Sequence, residues 1–577
     1  MLLFLEPVFE LAHGPTRGDR VVVLFAGLFR RPLAAYSGLR AAFFVHPVGW
    51  GLAALAGAVV WLLLIRTLLS LYNDKVRPRI LGLSASEQSD SFAFKTVTLP
   101  ELTMRAPARA PGDVVVGETP DGEVYVLPQR KRATHTHVLG RTGSGKTESV
   151  LLPMMFQDIQ AGGAVVFIDA KGSSENLEAL VSMAYAAGRL DDVKIFSLAY
   201  PDHSHTYNPA YPVVRDALST AQMVFNGFTM DHPYYRGQSQ IYFQNLMLAA
   251  HALGEPFHLG DISLAVTDVR IRDELEKRVT ARDRAVGKDH PDYGTVQAGV
   301  FALRDVRNQL NRLGNKADEV FTGLDFNLRQ FAHRLLLANN PDIRVQEDLA
   351  NKKILYFQLP RNLYMELAPA IGKIVLQQIQ QVGALRQVDR TIDQTPVTVY
   401  VDEFYNFAYE GFITGLNMLR DARISFVLAH QDMSDLERVS KEFARGVVGN
   451  TGLKIILYQL SHTLAEDVAK TIGTSTDEKP TNQRVEGALL TKYVTGAASL
   501  RDVEAFLLHP NRIKKLHPFG QAYIVYGTEF AGVNLPRFSP PPIPAGLKPT
   551  FARNVGVDGL NFAELLAGGA ARTYDHG

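Results

Sequence analysis

The sequence predicts an α/β protein with a parallel sheet, an inserted all-α subdomain and an N-terminal transmembrane anchor. Three observations predict this fold. Short β-branched and aromatic segments alternate with helical patterns along most of the 577 residues, as in a parallel sheet covered by helices on both faces. The stretch 213–344 has helical patterns but no clear strand pattern, and residues 41–65 contain no Asp, Glu, Lys or Arg.

The charge-free stretch near the N-terminus is long enough to cross a membrane. Its more apolar half, 48–65, is rich in Leu, Ala and Val, and a helix of about 20 such residues spans a bilayer. We therefore expect a transmembrane helix at about 48–70 inside an anchor of residues 1–80, with a buried core helix as the alternative. A second apolar run at 21–29 is too short to span by itself, which leaves one or two spans open.

The predicted strands begin with a hairpin at 114–126, whose turn falls at 120–122. Later strands are expected at 137–139, 164–169, 193–197, 353–359, 397–401, 424–429, 453–458 and 522–526. They lie on both sides of the helical stretch, so we interpret that stretch as an insertion into one sheet domain. The predicted boundaries are 81–212 for the first part of the sheet domain, 213–344 for the insertion, 345–538 for the second part and 539–577 for a Pro-rich tail.

Composition limits the chemistry. The net charge is +1, so any surface for a polyanion would have to be local. The chain contains no cysteine, which excludes disulfides, thiol catalysis and Cys-based metal sites.

One segment fills every position of the G-x-x-x-x-G-K-[ST] phosphate loop. Its residues are Gly140, Arg141, Thr142, Gly143, Ser144, Gly145, Lys146 and Thr147. Such glycines let backbone N–H groups point at the α- and β-phosphates of a nucleotide, Lys146 reaches the β- and γ-phosphates, and the Thr147 hydroxyl can ligate Mg²⁺. The segment lies between a predicted strand and a predicted helix, so it predicts a site for ATP and Mg²⁺; a chance match in a glycine-rich turn is the alternative.

Two acidic residues, Asp402 and Glu403, follow the predicted strand at 397–401. In P-loop enzymes an acid at a strand tip holds Mg²⁺, and a neighbouring Glu can polarise the attacking water. An exposed acidic loop is the alternative. The acids follow the phosphate loop by about 255 residues, so a large insertion must separate the two motifs.

The order of these features resembles the type IV secretion coupling proteins, the VirD4/TraG/TraD group of the FtsK/HerA motor superfamily. The resemblance covers most of residues 75–535 and implies a RecA-like P-loop NTPase domain. The pieces that carry it are D-E-F at 402–404, Arg420, A-H-Q at 429–431, I-D-A-K-G at 168–172, Y-N-P at 207–209 and V-G-N-T at 448–451. Members of this group commonly show two clear transmembrane helices, whereas this chain has one convincing span.

The resemblance implies a catalytic set of Lys146, Glu403, Arg420 and Gln431, with Mg²⁺ on Thr147 and Asp402. Gln431 would sense the γ-phosphate, with a capping role as the alternative. Arg420 would stabilise transition-state charge on the nucleotide of a neighbouring subunit, which contributes on the order of 10³-fold or more in rate. Arg423 is the second candidate for this arginine finger, and an exposed helix end is the alternative for both.

The resemblance further implies an ATPase that moves DNA, alone or with attached protein, toward a secretion or conjugation channel. The implied partners are single-stranded DNA with a relaxase, channel components, the inner membrane and further copies of the chain in a homo-hexamer. Because the motor needs cytoplasmic ATP, it would lie on the cytoplasmic side of the bacterial inner membrane. Two alternatives are a DNA translocase of the same superfamily in chromosome processing and a substrate-docking receptor with little turnover.

Two basic segments could contact DNA. The first is a helical face of basic and amide side chains, namely Arg304, Arg307, Asn308, Asn311 and Arg312, which could grip phosphates. An exposed helix surface is the alternative there. The second, the basic run at 129–132, is more typical of a loop than of a nucleic-acid site.

Overall fold

The computed structural model of the chain describes residues 92–544, except 215, 460–461 and 487–491. The predicted anchor at 1–80, its transmembrane helix and most of the predicted tail, 545–577, lie outside the described residues. No helix within 92–544, in the part that is described, is both long and apolar enough to span a bilayer.

The described strands, in chain order, are β1 Val97–Thr98, β2 Val114–Glu118, β3 Val124–Leu127, β4 Thr136–Leu139, β5 Ala164–Asp169, β6 Val193–Ser197, β7 Ile354–Gln358, β8 Val397–Asp402, β9 Ile424–His430, β10 Leu453–Leu457, β11 Thr474–Glu486, β12 Lys492–Phe506, β13 Gln521–Tyr526, β14 Glu529–Asn534 and β15 Pro536–Arg537. Each strand predicted from the sequence is present within one or two residues of its expected ends.

The described helices, in chain order, are α1 Leu99–Arg105, α2 Gln129–Arg132, α3 Leu152–Gln160, α4 Ser174–Ala186, α5 Ala217–Asn226, α6 Pro233–His251, α7 Leu259–Thr267, α8 Val269–Ala285, α9 Tyr293–Leu313, α10 Ala317–Gln330, α11 Val345–Ala350, α12 Leu367–Val388, α13 Gly411–Leu419, α14 Met433–Glu437, α15 Lys441–Asn450, α16 His462–Ile472 and α17 Pro510–Lys514.

An eleven-stranded mixed sheet organises the described residues, with the order β3-β2-β14-β13-β10-β4-β9-β8-β5-β7-β6. The strands from β10 to β6 run parallel, which confirms the parallel sheet predicted from the sequence. Strands β13, β14, β2 and β3 extend it in antiparallel pairs, of which the sequence predicted only the β2–β3 hairpin. Because the carboxyl ends of parallel strands share one edge, the loops after β4, β5, β8 and β9 meet there.

The sheet buries apolar side chains on both faces. Alternate residues of β5 belong to different clusters: Val166 and Ile168 pack with α12, while Val165 and Phe167 pack with α3 and α4. This alternation follows from the two-residue period of a strand, and it explains why β5, β7 and β8 are mostly apolar before their polar last residues.

The segment between β6 and β7 is helical. Helices α5 to α11 lie there, and among the described residues from 216 to 344 the only β-type pairing is a single bridge between Ile343 and Tyr207. The domain boundaries predicted at 213 and 344 stay predictions.

The basic run at 129–132 forms the short helix α2, so its prediction as a loop was wrong. Arg132 is 2% exposed, and its Nη1 and Nη2 atoms donate to the Oδ1 and Oδ2 atoms of Asp158 at 2.9 and 2.5 Å. Tyr400 on β8 donates to the same carboxylate at 2.6 Å. Burial lowers the pKa of Arg132, but the charge of Asp158 outweighs it and raises the pKa above its ordinary value.

Replacing Arg132 by Ala is expected to destabilise the fold by about 3–5 kcal/mol, because it leaves the Asp158 carboxylate buried without its cation. The matched control is Arg130→Ala, in the same run but exposed, where a change within about 0.5 kcal/mol is expected. Chemical denaturation of the detergent-solubilised protein measures both. Equal losses for the two variants would contradict the role of the buried pair.

Candidate nucleotide site

The phosphate loop connects β4 to helix α3, as the sequence predicted. Gly143 and Gly145 have φ angles of 77° and 90°, which residues with side chains rarely adopt. A Cβ atom at Gly140 would lie 2.4 Å from the Ser144 hydroxyl. The stretch Lys146–Leu151, which begins with the last two residues of the loop, is π-helical before α3 continues as an α-helix. The loop therefore needs its glycines for its backbone shape.

Lys146 points into this loop. Its Nζ atom donates to the backbone oxygen of Gly140 at 2.7 Å and lies 3.4 Å from that of Arg141. The residue is 5% exposed. Burial lowers the pKa of Lys146, although Glu403 and Asp402 oppose the shift. The ammonium group is thus held where a phosphate chain in the loop would meet it.

The Asp402 carboxylate joins the loop to the neighbouring strand ends. The Thr147 hydroxyl donates to Asp402 Oδ2 at 2.9 Å. Lys171, in the loop after β5, places Nζ 3.0 Å from the same oxygen and 3.4 Å from Glu403 Oε1. Burial lowers the pKa of Lys171, but Asp402 and Glu403 outweigh it and raise that pKa.

Glu403 and Gln431 connect the acidic strand to the phosphate loop. Gln431 Nε2 donates to Glu403 Oε1 at 3.1 Å, and the Thr142 hydroxyl donates to Gln431 Oε1 at 2.6 Å. Glu403 itself has φ 52° and ψ 50°, the left-handed region. Its second oxygen, Oε2, is buried and has no hydrogen-bond partner among the described residues. One carboxylate oxygen of Glu403 is therefore held in place and the other remains available.

Asp169 and Lys171 belong to this site, although the sequence analysis did not select them as site residues. Asp169 is the register partner of Asp402 on the adjacent strand. Its carboxylate accepts from Asn176 Nδ2 and the Tyr356 hydroxyl, both at 2.9 Å. Burial raises the pKa of Asp169, and the charge of Asp402 adds to the shift. The I-D-A-K-G segment that carried part of the resemblance was the signal that could have identified them.

Two buried histidines were also missed. His137 on β4 and His430 on β9 stack with ring centroids 4.8 Å apart, and their Nε2 atoms are 2.5 Å apart. Burial lowers the pKa of both rings, that of His430 to about 4, and the charge of Lys146 adds to the shift at His430. Both rings are therefore neutral at pH 7. The available sequence signals were their positions, three residues before Gly140 and directly before Gln431.

The residues present fit a nucleotide with Mg²⁺. Mg²⁺ in phosphoryl-transfer sites is held by one or two protein oxygens together with substrate phosphates. The Thr147 hydroxyl and the Asp402 carboxylate, already in contact at 2.9 Å, provide such a pair beside the loop.

Comparisons with known proteins agree on one class. A family model described as the TraM recognition site of TraD and TraG matches residues 396–518. The type 4 coupling protein DotL of Legionella pneumophila subsp. pneumophila is 23% identical over 387 residues, which are 58% of this chain and 48% of DotL. The solved bacterial conjugative coupling protein TrwBdeltaN70 covers 78% of this chain and 95% of its own, at 15% identity and a TM-score of 0.50.

The resemblance to the type IV coupling proteins is confirmed. The match to TrwBdeltaN70 also confirms the RecA-like α/β fold, with the antiparallel strands making its sheet mixed. The chain spans about half the length of its relative DotL.

The structure does not place the two candidate arginine fingers, Arg420 and Arg423, at the phosphate loop of the same chain. Arg420 caps the end of α13, as predicted, and is exposed; Arg423 is exposed with φ 56°. Both precede β9, whereas Gln431 follows it. At about 3.3 Å per residue, the seven-residue strand separates the two ends by roughly 20 Å.

The basic and amide face predicted on a helix lies on α9. All five of its side chains are exposed, and Arg307 pairs with Glu276 on α8. The aromatic ring of Phe301, 58% exposed, lies on the same helix one turn before Arg304. The predicted contact with DNA stays a prediction.

Proposed function

We propose that this chain is a membrane-anchored ATPase that uses hydrolysis to drive DNA, with or without attached protein, into a type IV secretion or conjugation channel. The observation that carries the proposal is the continuous hydrogen-bonded connection from Thr142 through Gln431 to Glu403, beside a complete phosphate loop. A loop that only bound phosphate would need neither the acid nor the glutamine.

The residues at the strand ends have distinct roles in this proposal. Lys146 binds the β- and γ-phosphates, and the backbone N–H groups of 140–147 cradle the phosphate chain. Thr147 and Asp402 would hold Mg²⁺, which would neutralise charge on the phosphate oxygens. Lys171 holds Asp402 and Glu403 in place by its charge.

Glu403 and Gln431 form the hydrolytic half of the site. Glu403 polarises the attacking water with the oxygen that has no described hydrogen-bond partner, while its other oxygen is fixed by Gln431. Gln431 contacts both the loop and the acid, so the presence or loss of the γ-phosphate changes its hydrogen bonds. That contact makes Gln431 the sensor that would relay hydrolysis to β9.

The assembly and location follow from the same proposal. The names of DotL and TrwBdeltaN70 describe coupling proteins, the latter conjugative, which supports a place at the entrance of a type IV secretion channel. We expect a homo-hexamer, anchored in the bacterial inner membrane with the motor in the cytoplasm, acting on single-stranded DNA that carries a relaxase.

The proposal is tested by the ATPase rate of the purified full chain in detergent, with and without single-stranded DNA. DNA is expected to stimulate the rate severalfold, and Lys146→Ala is expected to abolish hydrolysis with or without DNA, because it removes the cation that contacts the β- and γ-phosphates. Circular dichroism of the variant serves as the folding control. Turnover by Lys146→Ala at the wild-type rate would contradict the motor.

A docking receptor with little turnover is the second candidate. The observation that favours it is the match of residues 396–518, which include the hairpin β11–β12, to a region described as a TraM recognition site in TraD and TraG. If DNA does not stimulate hydrolysis and the full chain binds secreted proteins, the result would support the receptor instead of the translocase.

A further inference from the structure

The two buried histidines lie between the phosphate loop and Gln431. His430 is the last residue of β9, and its backbone oxygen accepts from the N–H of Gly140 at 3.4 Å. Its ring reaches past Gln431, because Nδ1 lies 2.9 Å from the backbone oxygen of Asp432. On its other side, Nε2 meets His137 Nε2 at 2.5 Å.

These contacts fix the tautomers of both rings. A backbone oxygen only accepts, so His430 Nδ1 must carry the hydrogen that it donates to Asp432. In a neutral ring, His430 Nε2 is then an acceptor, and His137 Nε2 must be the donor. His137 Nδ1 is consequently a bare acceptor, which agrees with its having no hydrogen-bond partner among the described residues. His137 therefore donates a hydrogen bond to His430, and His430 donates one to the backbone oxygen of Asp432.

We propose that His137 is a positioning residue for Gln431 and acts through the ring of His430. The ring of His430, bonded to the backbone oxygen two residues later, closes a small loop whose middle residue is Gln431. The bond from His137 sets the rotation of that ring. Together they hold Gln431 where it contacts Thr142 and Glu403 at once.

This inference rests on the proposed ATPase function and on the role of Gln431 in it. A misplacement of about 1 Å in a catalytic site costs on the order of 10²-fold in rate. Loss of the His137 donor frees the ring of His430 to rotate, so it should affect turnover more than nucleotide binding. Apart from the sheet bond between Gly140 and His430, neither histidine has a hydrogen bond to the phosphate loop among the described residues.

The test compares His137→Asn with His137→Gln in the full chain. The Gln amide nitrogen can take the position of imidazole Nε2 and still donate to His430, whereas the Asn amide is one methylene shorter. His137→Asn is expected to lower kcat about 10- to 100-fold with KM for ATP within about twofold, and His137→Gln to retain kcat within about threefold. His430→Asn, which can still donate to Asp432 but cannot reach His137, should reproduce the defect of His137→Asn.

A double-mutant cycle identifies the route of the effect. If His137 acts through Gln431, Gln431→Ala combined with His137→Asn should be no slower than Gln431→Ala alone. A full additional loss in the double variant, equal defects in the Asn and Gln variants, or wild-type kcat in His137→Asn would each overturn the inference. A wild-type protein that binds ATP without turning it over would overturn the proposed ATPase as well, which distinguishes the two failures.

Discussion

Glu403→Gln is expected to bind ATP normally and to lower turnover by about 10²- to 10⁴-fold. The substitution keeps the shape of the side chain and an oxygen that can accept from Gln431 Nε2, so the connection to Gln431 can persist. It removes the negative charge that would polarise water, and a positioned general base contributes a factor of this size. The variant should therefore hold ATP without hydrolysing it.

Asp402→Asn should fail at a different step. Asp402 contacts Thr147 and Lys171 and points to the proposed Mg²⁺ position, so its neutral form should weaken binding that depends on Mg²⁺. Binding of a fluorescent ATP analogue over a Mg²⁺ titration separates the two steps, with Glu442→Gln on the exposed first turn of α15 as the control. If both site variants lost binding and turnover to the same extent, the two acids would be misassigned.

The sequence allowed the phosphate loop and the acidic pair to be predicted because each is a local pattern. Gly143 and Gly145 are needed at positive φ, and a strand such as β8, buried on both faces, is mostly apolar up to its terminal Asp402. Residue types at fixed short spacing carry that information, and the site residues next to one another in the chain were therefore found.

Contacts between strands could not be predicted in the same way. Lys171 meets Asp402, and His137 meets His430, only because the sheet order places β5 beside β8 and β4 beside β9. Hydrophobic periodicity identifies a strand but not its neighbours. The antiparallel extension by β13 and β14 was unpredictable for the same reason, and Arg132 was misassigned because its partner, Asp158, lies on another helix.

The position of Arg420 leads to the second large expected effect. Arg420 caps the end of α13, and the backbone oxygen of Leu416 in that helix lies 2.9 Å from Nε2 of His135, the residue directly before β4. The phosphate loop is at the other end of β4. If Arg420 contributes to hydrolysis as the coupling-protein resemblance implies, it must therefore act on the nucleotide of a neighbouring subunit.

An Arg420→Ala subunit should bind ATP normally but hydrolyse it on the order of 10³-fold more slowly in a ring made only of this variant. Arg423→Ala, three residues later and equally exposed, is the matched comparison and is expected to change the rate little. The measurement is the steady-state ATPase rate in detergent with single-stranded DNA, alongside nucleotide binding by each variant.

Mixing two inactive variants then tests whether Arg420 acts between subunits. In a mixed ring, an Arg420→Ala subunit keeps its phosphate loop and can face the intact Arg420 of a Lys146→Ala subunit, so some sites are complete although neither variant alone has any. Activity should rise from near zero to a maximum at intermediate mixing ratios and fall again at both ends. A finger acting within one chain would give no recovery at any ratio, and wild-type turnover by Arg420→Ala alone would transfer the role to Arg423.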